Sequence, residues 1–357
     1  MTGRGVDQVL PHSCPPQLHE FGRPSALDYV ELAEALNGPI PRPVDYAYVW
    51  GDALEVLARE RPDARIVNLE TSLTTSEDAE PKGINYRMHP GNVPLLAAAG
   101  VSCCALANNH VLDWGRAGLL ETLDTLQRAG VPIAGAGRNL AAAEAPAVLD
   151  AGGGSRILVF SFGMGDSGIP PTWAAGADEP GLHRPPDYSE EQVERIARLV
   201  AAHKLPGDVA VASVHLGGNW GYQLKWHRQE FARALVDRAG IDVFHGHSSH
   251  HPKAIEIYRD RPILYGCGDF LNDYEGIQRA EYIVYRHDLV LMYFVTLGVP
   301  SGRLVRLRMV PLQIRKLRLR HVSEEDREWI RIVMDRECRR FGRGVTASDD
   351  VLTLGYP

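Results

Sequence analysis

Cysteine is scarce and poorly spaced for thiolate chemistry. The chain has five, at positions 14, 103, 104, 267 and 338, with no Cys-x-x-Cys pair and one thiol left over. An odd, scattered set predicts reduced thiols and a cytoplasmic setting. Cys103 and Cys104 fall inside an apolar run and read as core. Long apolar runs are missing too: nothing approaches the roughly 18 residues that a membrane helix needs, and no charged, apolar and small-residue leader opens the chain. There is no internal repeat and no low-complexity linker. A basic stripe is also lacking, and with a net charge of −7 the composition argues against a protein that grips nucleic-acid backbones. The basic residues of segment 315–321, with Arg303, Arg306 and Arg308, alternate with apolar positions and read as the solvated face of strands.

What is present is an alternation. With 45% hydrophobic and 23% charged residues in 357, a sizeable core is expected. Segments 64–69, 101–107, 156–162, 208–214, 241–245 and 262–266 read as strands, and 51–60, 92–99, 115–129, 188–203 and 225–239 as helices. That order predicts an α/β fold with buried sheets. Near the end, Asp288–Gly298 and Arg303–Pro311 flank a Pro300-Ser301-Gly302 turn and predict a hairpin. A last helix is expected from Ser323, its N-cap, to Phe341. The division expected is one domain over 1–311 with a C-terminal helical extension over 312–357.

Polar side chains that can hold a metal follow several of these strands: Glu70 after 64–69, Asn109 and His110 after 101–107, His215 after 208–214, and His247 and His250 after 241–245. Strand ends of one sheet share an edge, so groups placed there can converge. Imidazoles mixed with a carboxylate and an amide oxygen, without thiolate, suit Mn, Fe, Zn or Co better than Ca. Two ions would need about this many ligands plus water.

The runs Asn68-Leu69-Glu70-Thr71, Asn108-Asn109-His110-Val111-Leu112-Asp113, His215-Leu216-Gly217-Gly218-Asn219-Trp220, Gly246-His247-Ser248-Ser249-His250-His251 and Gly266-Cys267-Gly268-Asp269-Phe270 resemble, in order, those of the CapA family of bacterial capsule, or poly-γ-glutamate, biosynthesis proteins. That family lies within the calcineurin-like metallophosphoesterase superfamily. The resemblance implies a four-layer αββα metallophosphoesterase sandwich with two divalent ions, Mn, Fe or Zn, at strand ends. It assigns Glu70 as the bridging carboxylate, Asn109 as an amide ligand, His215 and His247 to one ion and His250 to the other. His251 stays open as the alternative to His250. His110 matches the histidine that assists the leaving oxygen, and Asp113 either orients that ring or caps the next helix. The family's first strand, ending in Gly-Asp, has no counterpart here, because the chain opens at Met1-Thr2-Gly3-Arg4-Gly5; a start assigned too late, or a truncation, is the expectation.

Three functions follow. One is metal-dependent hydrolysis of a phosphoester; the next is hydrolysis or transfer at a γ-glutamyl amide by the same centre; the third is a non-catalytic role beside a capsule synthase or its polymer. The substrate expected is an anionic small molecule or polymer. Arg4, Trp220, Asp269 and Asn272 are the candidates for touching it, each with a plainer reading as a surface, covering or turn residue.

Overall fold

Four apolar strands, Arg156–Gly163, Val209–His215, Val243–His247 and Arg261–Leu264, pair parallel to one another. Helices Glu190–His203 and Trp226–Ala239 connect the first three, and such crossovers are what parallel neighbours require. Antiparallel edges, Ala147–Asp150 and Ile255–Tyr258, complete a six-stranded sheet. The computed structural model describes residues 1–356 and shows a mixed α/β protein with several sheets.

Side-chain alternation sets the layers. Leu158, Phe160 and Phe162 face the two helices, packing with Val193, Ile196, Phe231 and Leu235. The intervening Val159, with Val211, Val243 and Leu264, faces the hairpin residues Leu289, Leu291, Leu307 and Met309. The hairpin's other face, Val290, Met292, Val310 and Leu312, packs against helical residues such as Val30, Val56, Leu119 and Leu123. The hairpin is therefore buried on both sides although antiparallel, and each fully buried Leu or Phe adds roughly 1.5–3 kcal/mol. Cys103 and Cys104 obey the same alternation, one in the core between sheets and the other towards the helices.

Differences from the sequence reading lie at the two ends and at the edges of the six-stranded sheet, where Ala147–Asp150 and Ile255–Tyr258 add to the expected strands. Helices Gly5–Val9 and Leu27–Asn37 and the hairpin Gln17–Glu20/Arg23–Ser25 occupy the proline-rich beginning. The helix Leu27–Asn37 buries only Tyr29, Val30 and Ala33, too narrow a stripe to stand out as a pattern. The expected boundary between 311 and 312 falls within the strand Arg303–Ile314, and Val345–Ser348 and Val351–Leu354 join that strand's sheet beside the expected helix, here Glu324–Arg339. At the hairpin turn Gly302 has φ +63°, and a Cβ there would collide with the Asp242 carboxylate. No helix among the described residues is long and apolar enough to cross a membrane.

One buried imidazole makes the fold sensitive to acid. His183 packs on Phe162 with ring centroids 5.4 Å apart, and its Nδ1 has no partner. Burial lowers its pKa from 6.5 to about 4. The unfolded chain therefore takes up the proton first, so stability present above pH 6.5 is lost as pH falls towards 4, by about 3 kcal/mol in full. In His183→Phe, urea unfolding at pH 7.5 and pH 5.0 should differ by about 2 kcal/mol less than in the parent. An unchanged difference would remove His183 from the account.

Candidate active site

Register brings the first two histidines together. Gly163 pairs with His215, and His215 with His247, so the parallel strands end level at one edge of the sheet. Their rings meet, Nδ1 to Nδ1, at 2.7 Å. On the neighbouring sheet, Ile66–Asn68 and Cys103–Ala105 are also parallel, and both end towards the same place. Asn108 ties those two ends: its Nδ2 donates to Asn68 Oδ1 and to the Leu69 carbonyl, each at 2.9 Å. Asn68 Nδ2 in turn donates to Glu70 Oε2 at 2.9 Å. The asparagines thus aim the carboxylate.

The result is a mixed donor set. His215 Nε2 lies 3.1 Å from Asn109 Oδ1 and 4.0 Å from Glu70 Oε1. Burial holds His215 well below the usual imidazole range, and the nearby His110 and His250 push it the same way; it is a neutral nitrogen donor. Burial pushes Glu70 up, against the pull of His250. Among the described residues no three His, Cys, Asp or Glu side chains form an ion-holding group; here the third donor is the amide oxygen of Asn109. Carboxylate, amide and neutral imidazole are a donor chemistry that fits a divalent transition ion.

The remaining candidates are distributed as follows. His247 is engaged at both nitrogens, Nδ1 by His215 and Nε2 by Ser213 Oγ at 3.0 Å. His250 Nδ1 faces Asp269 Oδ1 at 3.0 Å, and Asn272 Nδ2 donates to Asp269 Oδ2 at 3.0 Å. Burial alone would lower His250 and raise Asp269, but the contact between them reverses both directions: the imidazole is raised and the carboxyl lowered. His251 points elsewhere, with Nδ1 on the Pro252 carbonyl at 3.0 Å and its ring stacked on Tyr285 at 4.4 Å. Of the two histidines, His250 is therefore the one turned to the carboxylates. Trp220 lies over both, at 5.3 and 6.2 Å, in an aromatic wall with Tyr282 and Tyr285.

His110 has its own support. Its backbone N–H donates to Asn108 Oδ1 at 3.0 Å, its ring meets Tyr86 edge-on at 4.4 Å, and Nδ1 lies 2.6 Å from Asp113 Oδ2. Asp113 is fully buried and makes no cap to the helix Gly115–Arg128, so the orienting role is the one its geometry takes. Lys82 also reaches Asp113, with Nζ 2.7 Å from Oδ1. Nothing in the sequence pointed to Lys82, which sits in an aperiodic loop.

Arg4 is not a solvated N-terminal arginine. It is buried, held by Asp273 at 2.5 and 3.1 Å, Glu20 at 2.9 Å and the Tyr29 hydroxyl at 2.9 Å. Those acceptors occupy the guanidinium, leaving it committed to the fold and not to a ligand.

Comparison with known proteins identifies the family. The profile of the family described as bacterial capsule synthesis protein PGA_cap matches residues 1–274. A probable polyglutamine synthesis accessory protein of Mycobacterium tuberculosis is 47% identical over 99% of this chain and 93% of its own length. The capsule biosynthesis protein CapA of Bacillus anthracis is 26% identical over 54% of this chain and 45% of its own length. Among solved structures, a 5'-nucleotidase precursor from Thermus thermophilus aligns with 64% of this chain and 39% of its own, at 16% identity and a TM-score of 0.31. With most of its length matched by the family profile and a close relative along nearly all of it, this chain belongs to the bacterial capsule synthesis (PGA_cap, or CapA) family.

Proposed function

We propose that this protein is a metal-dependent hydrolase that splits a phosphoester during capsule or poly-γ-glutamate assembly, on a four-layer αββα metallophosphoesterase scaffold, in the cytoplasm beside a capsule synthase. The observation that carries the reading is the meeting of Glu70, Asn109 and His215 from separate strand ends, with distances of 3.1 and 4.0 Å from His215 Nε2. Glu70, Asn109 and His215 would hold one divalent ion, Mn, Fe or Zn, while His250 and Asp269 would contribute to a second; His247 stands beside His215 and would join after turning from Ser213. When bound, such ions activate water and neutralise anionic charge.

The chain's own groups do the rest. With Nδ1 held on Asp113, His110 leaves Nε2 for the ester oxygen; a proton carried at Nε2 would pass to that oxygen as its bond to phosphorus breaks, leaving Nε2 bare until it is reprotonated from solvent. Asn108 keeps the His110 backbone in place, and Glu70, His110 and His215 are buried while Asn109 is partly exposed at the site's opening. Trp220 and the tyrosines beside it offer a flat apolar wall to the part of the substrate beyond the reacting group.

A second reading is favoured by the naming of a relative for PGA biosynthesis: the same centre would cleave a γ-glutamyl amide. Side-by-side assays with Mn separate them. Nitrophenyl phosphate should be hydrolysed and a γ-glutamyl nitroanilide left intact. The reverse pattern would hand the site to amide chemistry. No turnover together with no bound metal would favour a non-catalytic accessory role.

A further inference from the structure

The loop 75–86 converges on a single residue, Asp113. Glu80 N–H donates to the Asp113 carbonyl at 2.9 Å, Asn85 Nδ2 to the same carbonyl at 2.8 Å, and Tyr86 N–H to Asp113 Oδ2 at 2.6 Å. Lys82 completes the set. Its Nζ lies 2.7 Å from Asp113 Oδ1, donates to the Asn109 carbonyl, and comes within 3.5 Å of His110 Nδ1. Nζ also lies over the Trp173 ring, 5.1 Å from its centre, so the ammonium is held on that side as well.

We infer that Lys82 is a positioning residue: from its loop it holds Asp113, and through Asp113 the ring of His110, in the orientation the reaction uses. The inference rests on reading His110 as the group that serves the leaving oxygen.

The geometry leaves each atom one task. Oδ2 of Asp113 faces His110 Nδ1 and accepts from the Tyr86 N–H, which leaves Oδ1 to Lys82. A buried carboxylate offered no cation on that side can turn about its last bond, and the imidazole turns with it. The ion donors have supports of their own, Asn68 on Glu70 and His215 on Asn109 Oδ1; Lys82 reaches that set at the Asn109 backbone carbonyl, so the loss of its ammonium bears first on Asp113 and His110.

Lys82→Met removes the ammonium and keeps the stem. The expected result is a 10–100-fold fall in kcat on nitrophenyl phosphate, with KM and bound Mn within twofold of the parent. The low-field proton signal of His110 Nδ1–H, assigned by its loss in His110→Ala, should broaden or move. Lys82→Arg should restore most of the rate, and Lys82→Gln serves where Lys82→Met melts early. An unchanged signal and rate would overturn the inference, and so would loss of Mn in step with kcat, which would place Lys82 with the ion donors. If the parent protein hydrolyses no ester, the functional reading fails, and the Nδ1–H signal alone then decides Lys82: moved supports it, unmoved overturns it.

Discussion

His110→Ala is expected to lower kcat on a nitrophenyl ester about 10²–10⁴-fold while leaving bound metal near the parent level. The reason is a division of labour in space. Of the donors suited to an ion, Asn109 Oδ1 and Glu70 Oε1 stand 3.1 and 4.0 Å from His215 Nε2, whereas the His110 ring is turned to Asp113 and Tyr86. Removing the imidazole takes away the proton carrier and no ion donor. Asp113→Asn should act in the same direction but less strongly, because the ring remains with a poorer guide to its tautomer. His215→Ala is the contrast: metal and activity should fall together. Metal analysis beside steady-state kinetics reads all three, and a His110→Ala protein that turns over at the parent rate would defeat the assignment.

Asp273→Ala is the substitution expected to cost the most stability, about 3–5 kcal/mol. Its carboxylate is buried and takes two bonds from Arg4, at 2.5 and 3.1 Å, and one from the Gly5 N–H at 2.9 Å. The Arg4 side chain is only 2% exposed, and it lies 3.9 and 4.4 Å over the rings of Tyr29 and Tyr86. Without Asp273, that guanidinium keeps Glu20 and the Tyr29 hydroxyl but loses its bidentate partner in a buried site. The surface pair Arg238–Glu190, with side chains 42% and 86% exposed, makes the comparison: Glu190→Ala should be hard to distinguish from the parent. Urea unfolding of the two variants decides the matter. A loss for Asp273→Ala no larger than for Glu190→Ala would mean that the buried cluster contributes specificity and not stability.

These two expectations differ in how visible their residues were. His110 stands in the run Asn108-Asn109-His110 after an apolar segment, where a strand end and its chemistry can be read together. Asp273 and Arg4 are separated by most of the chain, and nothing local joins them. Arg4 read as a solvated terminus, yet folding buries it against Asp273, Glu20 and Tyr29. Composition cannot reveal such a pairing, because it depends on the path of the backbone.

Local pattern by itself determined the four parallel strands of the central sheet and the helices between them, the positions of the polar groups at their ends, and the family; the two antiparallel edge strands were not legible. Periodicity is a property of neighbours, so it survives in the linear order of residues. Tertiary structure decided how those groups stand to one another: that His215 and His247 end level, that His250 and not His251 turns to Asp269, that Asp113 meets the His110 ring, and that Lys82 is there at all. Each of these is a matter of register, of ring rotation or of a loop folding back, set by contacts between segments far apart in sequence, and no local spacing encodes them.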